Sequence, residues 1–207
     1  MSILSEQHAR RTLLSDFILG SQDGLVNVLG IILGLSAATQ NIRLIFVATL
    51  AALGAESMSM GAVAYTSTAS RRRLYLRETE REKREMRDVP DNERHEVLQI
   101  LKGWGYSGED LKDMMSRIVA NPKAMLAFMM SYELKLAPVG KNEARDSFLT
   151  VLASTFVGSV IPIIPFLFVG GNIMAGAIGS VVISGSALFL IGWFGPKPPW
   201  DHSGSFF

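Results

Sequence analysis

The sequence predicts an all-α fold: an integral membrane helical bundle of four spans, with a charged helical domain inserted between spans two and three. Three observations predict it. Four windows of about 20 residues are almost free of charge, and each suffices for ~30 Å of helix, the thickness of a hydrocarbon core. Charge is concentrated elsewhere, since 16 of the 20 Lys/Arg and 14 of the 19 Asp/Glu fall within residues 71–146. The apolar windows are joined in pairs by very short turns, Thr39-Gln40-Asn41-Ile42 and Gly170-Gly171-Asn172. The division that follows is a terminal segment and hairpin over 1–70, the charged domain over 71–146, a second hairpin over 147–195 and a Pro-rich tail over 196–207.

Composition narrows the function. The net charge of +1 comes from interleaved acids and bases, which gives no basic patch for nucleic acid. The absence of cysteine excludes disulfides, thiolate metal sites and cysteine nucleophiles. The N-terminus lacks the apolar core and small-residue cleavage site of a signal peptide, so the first span is expected to be retained. No nucleophile–base arrangement and no phosphate-cradling loop stand out, so neither an enzyme nor an organic cofactor is expected.

Residues 4–15 suit a short interfacial helix, with His8, Arg10 and Arg11 at the headgroups, or a solvated tail. Span one runs roughly from Phe17 to Ala38. Its Gly20/Gly24 and Gly30/Gly34 pairs permit close helix approach in lipid. Asp23 lies seven residues past Asp16, two turns along the same face and about 10 Å deeper. A carboxylate at that depth suggests an ion path, with a helix cap at a Gly-rich break as the alternative. Span two runs roughly from Leu44 to Thr68 and carries Glu56 and Met60. Counted from Arg71, Met60 is ~16 Å deep, near Asp23 in depth, with Glu56 one turn deeper.

The charged domain begins as a continuation of span two. Pro90-Asp91 starts a second helix that stops at Gly103, Ser107-Gly108-Glu109-Asp110 is a capping pattern for a third, and Asn121-Pro122 caps a fourth. Two Glu-x-x-Glu pairs, Glu82/Glu85 and Glu93/Glu96, set two carboxylates on one face of each of two helices. Met129 and Met130 precede Glu133 by four and three residues, so all three can point to one place. Carboxylate oxygens suit divalent cations, and a thioether softens the set toward transition metals such as iron(II). Taken singly, each pair also reads as a solvated helix face and each methionine as core. A ferritin-like di-iron site needs Glu-x-x-His twice, and His95 is not at that spacing from Glu93.

Span three, roughly Phe148 to Val169, contains Ile161-Pro162-Ile163-Ile164-Pro165, a kinked stretch whose freed carbonyls need partners. Span four runs roughly from Ile173 to Phe194 with a Gly176/Ser180/Ser184 packing stripe. One side of the membrane carries only the two tiny turns with Arg43. The other carries the N-terminal basic residues, the 71–146 block and Lys197, and the positive-inside rule makes that side cytosolic, both termini included.

These residues resemble the vacuolar iron transporter family. The marks are Asp23-Gly24-Leu25-Val26-Asn27, Ser59-Met60-Gly61, the Ile161-Pro162…Pro165 pattern and seven residues in register across the charged domain. The resemblance covers the chain to about residue 192. It implies export of iron(II), and in some members manganese(II), from the cytosol in exchange for protons. It further implies that Glu82, Glu85, Glu93, Glu96, Met129, Met130 and Glu133 bind cytosolic metal. The path would lie at a homodimer interface lined by Asp23 and Met60, with Asp16 at its mouth. The membrane would be the cell membrane in a prokaryote and a vacuolar-type membrane in a eukaryote. Two departures stand out. The family's span-two glutamate falls at Ala52, and Glu56 is expected to stand in for it. The family also has a fifth span, which the Pro-rich tail from Gly195 cannot supply. A membrane-tethered metal buffer or sensor is therefore the alternative expectation.

Overall fold

The computed structural model describes the backbone of residues 3–194 and the side chains of residues 14–193. His8, Arg10, Arg11, Lys197 and the 196–207 tail, to which the sequence reading assigns interfacial or terminal roles, lie outside the described side chains. In chain order the helices are α1 (Ile3–Ala38), α2 (Ile42–Asp88), α3 (Pro90–Gly103), α4 (Gly108–Val119), α5 (Pro122–Phe128), α6 (Glu143–Val160) and α7 (Ile173–Phe194). A π-helical turn, Met129–Glu133, follows α5, and a 3₁₀ segment, Ile161–Leu167, follows α6. No strand occurs among the described residues. Four of the helices are long and apolar enough to cross a membrane, and the protein is an all-α integral membrane protein. The chain forms two compact units, one up to Thr66 and from Glu143 onward, the other Ser67–Asn142.

In the first unit, α1 packs chiefly against α6. The sequence suggests a separate interfacial helix before span one, but no Gly or Pro interrupts residues 3–19 and α1 runs unbroken. It also runs unbroken through Gly20–Gly24, which removes the helix-cap reading of Asp23. Those two glycines serve close approach instead. A Cβ on Gly20 would collide with the Ser154 hydroxyl, one on Gly24 with the Thr155 carbonyl, and one on Gly158 of α6 with the Ser21 carbonyl. Small residues on both helices let the backbones touch, as membrane helices require in the absence of a hydrophobic drive. Gly30 and Gly34, which share the same spacing, have no neighbour within 4 Å.

The proline pair explains the 3₁₀ segment. In an i→i−3 ladder the residue that should donate to the Pro162 carbonyl is Pro165, which has no N–H. Ser180 of α7 replaces it, its one Oγ–H shared between the Pro162 carbonyl at 2.5 Å and the Gly176 carbonyl at 2.9 Å. Ser180 is therefore a donor to the broken ladder as well as a packing residue. Val28 and Ile32 of α1, Ile45 and Leu53 of α2, Ile163, Phe166, Ile173 and Ala177 form the apolar core. Phe46 meets Phe166 edge-on at 6.3 Å. The turn into α7 uses positive φ at Gly170 (57°) and Gly171 (94°), which only glycine adopts freely. Asn172 Oδ1 then caps α7 by accepting from Ala175 N at 3.1 Å.

In the second unit Pro90 opens α3 at a position where a missing N–H is harmless. Asn121 caps α5, its Oδ1 accepting from Lys123 N and Ala124 N at 3.1 and 3.2 Å. Ser107 is the N-cap of α4, yet its side chain makes no capping hydrogen bond, so the capping pattern marks the boundary without supplying the bond. Val97, Leu101, Leu111, Met125, Phe128 and Met129 form this unit's core.

Candidate metal centre

The charged stretch of α2 follows its apolar run in the sequence and belongs to the second unit. A helix of 47 residues measures about 70 Å, more than twice a hydrocarbon core, and the apolar run ends before the arginines at 71–73. On this stretch Glu78, Glu82 and Glu85 share a stripe, but their partners differ. Glu78 is neutralised by Arg77 at 3.0 Å and Arg81 at 3.3 Å. Arg81 also reaches Glu85, Nε to Oε1 at 3.0 Å. Glu82 is 1% exposed and Glu93 on α3 is 3% exposed, and Oε2 of each is buried without a hydrogen-bond partner. Glu133, at the end of the π turn, has a third orphaned Oε2.

These acids converge. Glu82, Glu85 and Glu93 each bring a carboxylate oxygen within 4.8 Å of the other two. Ligands on opposite sides of one divalent ion, each 2.0–2.6 Å from it, stand about 4–5 Å apart, so one cation fits among them. Glu96 and Glu133 act electrostatically on the same group. Of the five glutamates named from the sequence in this domain, three thus lie within ligand distance of one another, and Glu96 and Glu133 lie within electrostatic reach of them.

Burial and mutual repulsion raise the proton affinity of the set. Glu82 is pushed up to about 7, first by desolvation and then by Glu93 and Glu85. Glu93 rises to about 7 by desolvation, then Glu96 and Glu133. Glu133 does the same by desolvation, then Glu96 and Glu82. Arg81 opposes each rise more weakly. A buried carboxylate without a partner costs several kcal/mol unless it takes up a proton or a cation. The cluster can therefore hold protons near neutrality and exchange them for metal.

The two methionines part company. Met129 is fully buried and belongs to the unit's apolar core. Met130 is 2% exposed and outside that core cluster, and its Sδ lies 3.7 Å from Thr79 Oγ1, whose one proton goes to the Tyr75 carbonyl at 2.7 Å. The sequence places both on one α-helical face with Glu133. The π turn replaces that geometry, and Leu134 N bonds to the Met129 carbonyl at 3.1 Å, five residues back. Arg81 was overlooked in the sequence, although its spacing of three after Glu78 and four before Glu85 announces both ion pairs.

The first unit contains a second acidic site. Asn27 Nδ2 of α1 donates to Glu56 Oε1 of α2, and Asp23 is close enough to act electrostatically on the same carboxylate. Asp23, Glu56 and Met60 are all partly buried. Asp16 accepts a hydrogen bond from Ser147 Oγ of α6 at 2.8 Å. Asn27 and Ser147 were not singled out as site residues. Asn27, one turn past Asp23, was legible from helical spacing. Ser147, 131 positions away from Asp16, was not.

A family model described as the VIT family matches residues 14–197. The vacuolar iron transporter of Centaurea cyanus is 33% identical over 191 residues, covering 90% of this chain and 78% of the relative. Vacuolar iron transporter 2 of Oryza sativa subsp. japonica is 35% identical over 178 residues, covering 86% and 72%. Protein CCC1 of Saccharomyces cerevisiae is 27% identical over 184 residues, covering 88% and 56%.

Proposed function

The chain belongs to the VIT family, and from that premise we propose that it exports iron(II), and manganese(II) as a second substrate, from the cytosol in exchange for protons. The observation that carries this reading is the five-glutamate cluster with three orphaned, buried carboxyl oxygens. Glu82, Glu85, Glu93, Glu96 and Glu133 collect the ion on the cytosolic side, where the positive-inside rule sets the charged unit. Arrival of the cation displaces the protons held near neutrality, so capture is itself a proton-for-metal exchange. Met129 and Met130 are the sulfurs available to favour a transition metal over calcium or magnesium, Met129 from within the apolar core.

Within the membrane, Asp23, Glu56 and Met60 form the transit site and Asp16 its mouth. Ser147 holds Asp16, and Asn27 holds Glu56, which occupies the role that Ala52 cannot fill. Exposed Val63 shares the face of α2 that carries Glu56 and Met60, and a homodimeric path would turn that face to the second copy. The experiment is iron(II) and manganese(II) uptake into proteoliposomes under an imposed pH gradient. Flux in the parent that disappears in Asp23→Ala supports transport.

A second reading is a membrane-tethered metal buffer, favoured by the location of the carboxylate cluster in a separately compact unit. Metal bound by the full chain without flux in the same vesicles selects it.

A further inference from the structure

We propose that the groove between α2 and the start of α6 is a binding site for a phospholipid with an anionic headgroup. The groove is an open one of about 350 Å³, lined by Ala62, Tyr65 and Thr66 of α2 and by Arg145 and Phe148 of α6. That volume lies within the range of small-ligand sites. Its wall is almost wholly apolar carbon, and Arg145 is the one charged residue that lines it. An aqueous metabolite would leave that wall unused, whereas an acyl chain covers it and brings a phosphate to the arginine.

The location along the helices agrees. Tyr65 and Thr66 are followed within a few residues by the arginines at 71–73, where the apolar run of α2 ends. Arg145 is in the first turn of α6, three residues before Phe148 begins the expected span. Chain segments of this kind sit where acyl chains meet headgroups, and tyrosine and arginine both favour that level. Tyr65 is 48% exposed and lines the groove.

Arg145 has donors to spare. Its Nε and Nη2 both go to one oxygen of the adjacent Asp146, at 3.3 and 3.2 Å. A guanidinium carries five N–H groups, so three remain for a phosphate, which it binds with charge-assisted hydrogen bonds. The Asp146 pairing is solvent-exposed and contributes little by itself. Gly61, where an added Cβ would meet Phe148 at 3.1 Å and Leu152 at 3.2 Å, leaves room for α6 against α2.

Native mass spectrometry of the full chain, supplied with equal phosphatidylglycerol and phosphatidylcholine, tests the site. The parent should retain one phosphatidylglycerol per chain with about tenfold preference, the scale of one charge-assisted contact. Arg145→Gln should erase that preference while phosphatidylcholine retention stays unchanged, and Arg145→Lys should restore part of it. Ala62→Trp should fill the groove and release both lipids. An unchanged preference in Arg145→Gln overturns the proposal. So does displacement of the lipid by inorganic phosphate, which would make this a free-anion site. Dissociation of a dimer by Ala62→Trp, with no lipid retained by the parent, would assign the groove to a second copy and also overturn it.

Discussion

Glu82→Gln should stabilise the metal-free charged unit and at the same time weaken its hold on metal. The carboxyl of Glu82 is essentially buried, and its pKa rises from 4.5 to about 7. Between those two pH values the folded state binds more protons than the unfolded one. Stability linked to this group is therefore fully present below about pH 4.5 and is lost as pH rises through 7. At about 1.4 kcal/mol per tenfold change in proton affinity, keeping Glu82 ionised in the fold at pH 8 costs about 3 kcal/mol. That cost is shared with Glu93 and Glu133, so the three do not add. Glutamine keeps the shape and removes the charge. In metal-free protein at pH 8, amide exchange across 93–102 should slow in the variant by one to two orders of magnitude (about 1.4 kcal/mol per tenfold). Iron(II) or manganese(II) should slow exchange in the parent, and more so at pH 8 than at pH 6, with little effect in the variant. Faster exchange in metal-free Glu82→Gln than in the parent would refute the reasoning, as would undiminished protection by metal.

Other outcomes follow from the same geometry. Metal affinity of the full chain should fall by at least tenfold from pH 7.5 to 6 as Glu82, Glu93 and Glu133 take up protons, measured by titration with manganese(II). Gly158→Ala should destabilise the α1–α6 pair by several kcal/mol, because its Cβ meets the Ser21 backbone. Gly34→Ala should be neutral or slightly stabilising, and thermal unfolding in detergent compares the two. Glu56→Ala should reduce proteoliposome flux at least tenfold, and flux equal to the parent would remove Glu56 from the path. Ser180→Ala should destabilise the bundle by about 1–3 kcal/mol by leaving the Pro162 carbonyl unpaired, read by the same melting assay.

The spans were legible because hydrocarbon thickness imposes a length and a composition that few other structures share. Pro90, Asn121-Pro122 and Gly170-Gly171 announced helix boundaries through local backbone chemistry, which needs no knowledge of the fold. The five glutamates were legible through Glu-x-x-Glu spacing and the resemblance. What escaped depended on distant partners or on departures from the α pitch. Ser147 beside Asp16 is a tertiary contact. Gly20/Gly24 and Gly30/Gly34 look identical in sequence, and only the arrival of α6 separates them. The continuous α1 shows the reverse: a boundary was inferred from polarity where the backbone had no reason to break.

The wide turn at Met129–Glu133 makes residue count, and not only residue type, a determinant of the site. Each residue advances an α-helix by about 100°, and the π turn accommodates one more residue in its circuit than the α pitch allows. Removing any one of residues 129–132 would restore the ordinary pitch and swing Glu133 about a quarter-turn relative to the preceding helix. All five acids would remain in the sequence, yet one would be taken from the group. Among related chains, a single-residue gap between positions 129 and 133 would thus be a more damaging change than many substitutions there. The length of a five-residue stretch functions as a fixed gauge, setting the angle at which the fifth carboxylate is presented.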